Sequence, residues 1–184
     1  MWLGACTSSI GTWMQKLAQS WLVYDLTQSA WYLGLDAFLG EIPIFLFSIL
    51  GGVVADRKDR RWILVISQMV QMLCAITLAM LFYTKSVQVW HILSLSFVTG
   101  TAQAFGGPAY QAMLPTLVKR EDLQNVIAMN SIQFNIARVI GPTLGGVTLA
   151  KLGAVWCFGI NAVSFFAVIA TLLKLPARAP ADLT

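Results

Sequence analysis

Three ionisable side chains stand where an apolar chain tolerates charge least. Lys16, Glu41 and Arg138 each fall inside a stretch long and apolar enough to cross a bilayer, where a charge costs at least ~2.5 kcal/mol unless it is paired or hydrated. From the rise per residue of a helix, Lys16 lies roughly 12 Å, Glu41 roughly 15 Å and Arg138 roughly 18 Å below the end of its stretch that the charge pattern below places outside. The three therefore share a layer near the midplane. Opposite charges in one layer either form a structural ion pair or line a hydrated route on which a carboxyl takes up and releases a proton. We expect Glu41 to neutralise Lys16, Arg138 or both across a polar cavity wall, with Glu41 the candidate proton carrier.

Polar residues recur at three- and four-residue steps on the same stretches. The first carries Ser8 or Ser9, Thr12, Gln15 or Lys16, and Gln19 or Ser20; the fourth carries Ser96, Thr99, Gln103 and Tyr110; the fifth carries Ser131, Asn135 and Arg138. Such stripes line water or substrate, or else join helices by hydrogen bonds inside a dry bundle. Asp36, about five residues into the second stretch, reads as a solvated carboxylate near the outer interface, and His91 beside Trp90 as an interfacial histidine. Cys6, Cys74 and Cys157 lie in apolar runs at unrelated spacings, so the pattern indicates no disulfide framework, no metal site and no cofactor.

These residues need helices to hold them. Hydrophobic types make up 58% of the 184 residues and charged types 11%, with a mean hydropathy of +0.72, a balance suited to lipid. Apolar runs of ~20 residues exclude a barrel, whose strands alternate over ~10, and leave an all-α membrane protein. Six helices are expected, at about 3–24, 31–54, 62–83, 89–113, 126–150 and 154–175. Residues 1–175 form the bundle and 176–184, with Pro176 and Pro180, begin a cytoplasmic linker. Leu3-Gly4-Ala5-Cys6 looks like a lipoprotein box, but with no basic leader before it we expect no lipidation and a chain that starts inside its first helix.

The formal charge of +4 does not point to nucleic acid, because the basic residues cluster in short links between membrane-length stretches. The densest link runs Asp56-Arg57-Lys58-Asp59-Arg60-Arg61 after Gly51-Gly52, which we expect to form a two-glycine turn. Arg57, Lys58, Arg60, Arg61, Lys119, Arg120, Lys174 and Arg178 share one side, and Lys85 and Lys151 the other. The richer side is expected to be cytoplasmic, with both termini inside. Tyr24, Trp31, Tyr32, Tyr83 and Trp90 then form an outer aromatic belt, with Trp62 at the inner interface. Leu50-Gly51-Gly52-Val53 near the end of the second stretch recurs as Leu144-Gly145-Gly146-Val147 near the end of the fifth, as two inverted three-helix repeats would produce.

Gly52-x-x-x-Asp56-Arg57-x-x-Arg60-Arg61 resembles the loop motif of the major facilitator superfamily, and Gly141-Pro142-Thr143-Leu144-Gly145-Gly146 that superfamily's antiporter motif. Ser9-Ile10-Gly11-Thr12-Trp13-Met14-Gln15, Trp21 to Thr27 and Gly107-Pro108-Ala109 resemble its exporter branch. The resemblance covers nearly the whole chain but only half of a typical twelve-helix member, and it implies the amino-terminal half. It also implies that Gly52, Asp56, Arg57, Arg60 and Arg61 form a cytoplasmic latch, with Asp56 meeting a helix end of the opposite half and Arg60 bracing it. Gly141, Pro142, Gly145 and Gly146 would be a hinge or packing motif of the fifth helix, on a surface facing the partner half. Asp59 stands where the loop motif usually has a second glycine, and Ala128 and Ala137 where the antiporter motif begins with glycines. The bland alternatives are a topology anchor for the loop and small-residue packing for the glycines.

The resemblance implies a proton-driven antiporter in the inner or plasma membrane that exports small amphipathic molecules such as siderophores or drugs. Its route would pass Lys16, Glu41, Arg138, Thr12, Gln15, Gln19, Thr99, Gln103 and Asn135. Its partners would be the bilayer, a small-molecule substrate and a second six-helix half, supplied by another chain or by self-association, with no nucleic acid. An inactive truncated fragment and a non-transporting scaffold or regulator are the other classes. Short links argue against the membrane domain of an ATP-driven pump. The sequence holds no P-loop, GxSxG or HExxH, which leaves an enzyme without a motif.

Overall fold

The computed structural model describes residues 2–116 and 118–174; Arg178 and the expected linker at 176–184 lie outside the described residues. Six α-helices account for nearly all of them: α1 (Trp2–Thr27), α2 (Ala30–Arg57), α3 (Arg60–Tyr83), α4 (Val89–Met113), α5 (Leu123–Leu152) and α6 (Ala154–Lys174). Two short 3-10 turns, Leu114–Thr116 and Arg120–Asp122, lie between α4 and α5.

The expected two-glycine turn is not there. Gly51 and Gly52 are helical, and α2 runs on through Asp56 to Arg57. Lys58 N–H still bonds Val54 O at 2.9 Å, so the reversal is confined to Lys58 and Asp59. Asp59 caps α3, its carboxylate accepting from Arg61 N–H at 2.9 Å, with φ −63° and ψ 110°. Any residue adopts that conformation, and a capping aspartate satisfies a free helix N–H that glycine cannot. Aspartate therefore replaces the family's glycine without strain.

Non-consecutive helices make the main contacts. α2 packs on α4, α1 on α5 and α3 on α6, with α3 on α4 and α1 on α6 completing the bundle. Met14, Leu22, Leu78, Ile92 and Phe158 form a core near one end, and Leu64, Val65, Met113, Ile169 and Leu172 a core near the other. Aromatic residues Tyr24, Trp31, Tyr32, Tyr83 and Trp90 are all exposed around the first end, and Trp62 around the second. Between them the outer surface is apolar, with Phe45, Ile49, Val139 and Val163 exposed, the surface that lipid or another apolar unit must cover. Three helices, α2, α3 and α6, are long and apolar enough to cross a membrane by length and composition. The polar stripes lie on the other three.

Candidate functional site

Lys16 on α1 and Glu41 on α2 meet: Lys16 Nζ donates to Glu41 Oε1 at 3.2 Å, with both side chains more than half exposed. α1 and α2 leave the link at Gln28 and Ser29 in opposite directions, so residues 25 apart in sequence come level. Arg138 on α5 reaches the same place from the opposite side but does not share Glu41. Its guanidinium lies 5.8 Å from the centre of the Trp13 ring, and Lys16 Nζ lies 5.2 Å from that centre. Phe134 meets Trp13 edge-on at 6.0 Å. One indole thus serves two cations, because its negative π-face offers what a single carboxylate does not supply to both.

The polar arc of α1 divides among its neighbours. Gln15 accepts from Asn161 Nδ2 of α6 at 2.6 Å, while Gln19 Nε2 donates to both oxygens of Asp36 on α2 at 3.0 Å and to Ser96 Oγ on α4 at 2.8 Å. Ser9 accepts from Gln133 of α5 at 3.1 Å, and Thr12 bonds back to Ser8 O. Thr99 lies beside the Cys74 thiol, Asn135 bonds Ser131 O in its own helix, and Gln103 is exposed on α4. Gln15, Gln19 and Ser96 therefore join helices, whereas Lys16, Glu41, Gln103, Asn135 and Arg138 are exposed.

Asp36 overturns its expectation. It is 7% exposed, held by Gln19 and Ser96, and is no interfacial carboxylate. Depth along a helix does not decide contact with solvent when the residue faces inward, and α2 turns this side to α4 and α1.

A family model described as "Transmembrane secretion effector" matches residues 1–183. The chain belongs to that family, within the major facilitator superfamily. It is a membrane protein of a family of efflux transporters. It is 32% identical over 168 residues to the staphyloferrin A transporter of Staphylococcus aureus, covering 91% of this chain and 42% of that protein. It is 32% identical to the enterobactin exporter of Citrobacter koseri and 30% identical to that of Escherichia coli O1:K1, in each case over 155 residues, 84% of this chain and 37% of the relative. The chain thus spans about two-fifths of the length of these relatives.

The chain gathers its loop motif at the second end of the bundle. Arg60 donates to Ala55 O of α2 at 3.2 Å and to Ala112 O of α4 at 2.9 Å, and stands 3.5 Å from Asp56 Oδ1. Arg61 donates to Leu173 O of α6 at 2.7 Å and lies 5.9 Å from the Trp62 ring centre. The two arginines therefore tie the ends of α2, α4 and α6 to the start of α3, satisfying carbonyls that a helix end leaves free. Asp56 and Arg57 are exposed.

The glycines are sorted differently from their motifs. Gly51 is pressed on the Ala104 carbonyl of α4, whereas a side chain at Gly52 would meet nothing. On α5, Gly141 takes the backbone of α1 beside Ile10 and Trp13, and a Cβ added at Gly145 would stand 3.1 Å from Met14 Cα of α1. Both are buried within this chain, so they do not form a surface facing a partner half; Gly146 has ordinary room beside Leu17. Sequence alone does not mark Trp13 and Asn161 as contributors to this site: Trp13 is an aromatic residue one turn from Lys16, and Asn161 an uncharged polar residue in an apolar run.

Proposed function

We propose that this chain is the amino-terminal, six-span half of a proton-coupled secondary exporter of small amphipathic molecules, siderophores or drugs among them. The observation that carries the proposal is that Lys16 pairs with Glu41 and shares the Trp13 ring with Arg138, all three charges exposed, in a chain of an efflux family. Mid-span charges persist where they face water or one another, and a substrate route needs both. Exposed Gln103 and Asn135 extend this polar face, with Thr12, Gln15, Gln19 and Thr99 behind it. Glu41 is the carboxyl offered to a proton from this route, and its pair with Lys16 is what protonation would break.

Two inverted three-helix repeats account for the packing. Exchanging α1 with α4, α2 with α5 and α3 with α6 turns the α2–α4 contact into α5–α1, and the α3–α4 contact into α6–α1, all of which are extensive. The chain spans only about two-fifths of its relatives, so a second six-helix half completes the route, and rocking of the halves gives alternating access. Gly52, Asp56, Arg57, Arg60 and Arg61 form the latch at the basic end, which faces the cytoplasm together with both termini. Gly141, Pro142, Gly145 and Gly146 set how α5 rides on α1.

Reconstituting this chain with its second half in proteoliposomes and imposing a pH gradient tests the proposal. Efflux of a fluorescent amphipathic dye should follow the gradient and lose that dependence in Glu41→Gln. Unchanged coupling eliminates the carrier role of Glu41, and no efflux from the complete assembly leaves a scaffold.

A further inference from the structure

Asp36 is almost wholly buried, joins three helices and faces no cation within ion-pair reach among the described residues. Its neighbours are Gln19 and, one turn earlier on α1, the charge of Lys16; on α4, Ser96; and on its own helix Glu41, which Lys16 already holds. Ser96 Oγ has one hydrogen but two acceptors within reach, Asp36 Oδ1 and, at 3.0 Å, Ile92 O of its own helix. It also accepts from Gln19 Nε2, whose two hydrogens serve both Ser96 and the carboxyl.

Two complete arrangements follow from these contacts. With Asp36 ionised, Ser96 donates to Oδ1 and Gln19 donates to Oδ2. With a proton on Oδ1, that proton is donated to Ser96 Oγ, the serine hydrogen turns to Ile92 O, and Gln19 stays on Oδ2. No buried donor is left without an acceptor in either arrangement, and a single hydroxyl rotation separates them. A structural carboxylate in a dry bundle needs only the first set of contacts. The bond to Ile92 O is the same back-bond that Thr12 and Thr27 make in α1, but at Ser96 it gives the hydroxyl hydrogen somewhere to go when the carboxyl carries a proton.

We propose that Asp36, Ser96 and Gln19 form a proton-binding site joining α1, α2 and α4, distinct from the exposed Lys16–Glu41 pair. When the proton binds, Lys16 loses one of its two nearby negative charges and holds to Glu41 alone. Loading Asp36 therefore changes the electrostatics of the proposed route without a contact to substrate. As the place where the coupling ion binds, the site rests on the transport proposal above; as a proton site it does not.

The test is infrared difference spectroscopy of the purified chain in lipid vesicles during a pH titration. Among the carbonyl bands of the chain's protonated carboxyls, one component should appear and vanish with pH, be lost in Asp36→Asn, and remain in Glu41→Gln. Asparagine reproduces the protonated arrangement, donating to Ser96 and accepting from Gln19, so the variant should fold, as circular dichroism and a single elution peak would show. Ser96→Ala, which keeps the carboxyl, should shift the band's frequency and move its titration midpoint. No band component lost in Asp36→Asn, or a component so assigned that is indifferent to Ser96→Ala, overturns the site whatever efflux does; bands of Glu41 and the other carboxyls survive Asp36→Asn in any case. A band that Asp36→Asn removes and Ser96→Ala shifts, found together with efflux that ignores a pH gradient, keeps the site and removes the transport proposal instead.

Discussion

Each Gly-Gly pair in this chain contains one glycine that is structurally required and one that is free, and alanine should separate them. At Gly51 an added methyl would overlap the Ala104 carbonyl oxygen and stand 3.1 Å from both Ala104 C and Phe105 Cα, backbone atoms with no side-chain freedom to retreat. At Gly52 the same methyl would meet nothing within 4 Å. Both sites are helical, so the gain in helix propensity from glycine to alanine, about 1 kcal/mol, is common to the two. What remains is the cost of forcing α2 from α4, about 1–3 kcal/mol as for other overpacked sites. Gly51→Ala should therefore unfold more readily than Gly52→Ala by about that amount. Gly145→Ala, whose methyl would stand 3.1 Å from Met14 Cα and O, should likewise fall below Gly146→Ala, which has 3.8 Å to Leu17. Thermal or denaturant unfolding of the four variants in one detergent gives the comparison. Equal stabilities at 51 and 52, or a worse Gly52→Ala, would show that α2 and α4 do not cross as described, and equal stabilities at 145 and 146 would show the same of α1 and α5.

Other perturbations bear on the polar contacts. A double-mutant cycle of Lys16→Met and Glu41→Gln should return a coupling of about 1 kcal/mol or less, shrinking with added salt, because both side chains are more than half exposed; a coupling of ~3 kcal/mol or more would mean a pair sealed from water. Asn161→Ala strips Gln15 and Ser164 of a buried partner and should cost about 1–3 kcal/mol in the same unfolding assay, with Gln15→Ala adding little on top. Arg60→Ala removes the link from α3 to Ala55 and Ala112 and should cost about 1.5–3 kcal/mol. Arg60→Lys should recover only part of that loss, since an ammonium lacks the planar fork that reaches two carbonyls; full recovery would reduce Arg60 to a point charge.

How much of the site could be read beforehand varied with the kind of information needed. Counting residues from helix ends put Lys16 and Glu41 level, and they stand 3.2 Å apart. The same counting misplaced Asp36, because depth along an axis carries no information about which way a side chain points around it. Arg138 is level with Glu41 by count yet turns to Trp13, a choice set by the rotation of α5 on α1. The polar arc of α1 reads as one surface in the sequence; four neighbours, α2, α4, α5 and α6, divide it, since residues three and four apart on a helix fan over enough of its circumference to meet separate helices.

Composition and the run lengths of apolar residues alone determined that the chain is helical and built for lipid, because no other backbone arrangement satisfies its own hydrogen bonds over such stretches. The motif residues alone determined the family, since they survive in one dimension as spacing. Only the tertiary structure decided which glycines bear a neighbouring backbone, where the charged link turns, and that Asp36 is buried between Gln19 and Ser96. Those outcomes depend on how non-consecutive helices are rotated against one another, and that rotation is settled by the sum of many small contacts from distant parts of the chain, which no local stretch of sequence contains.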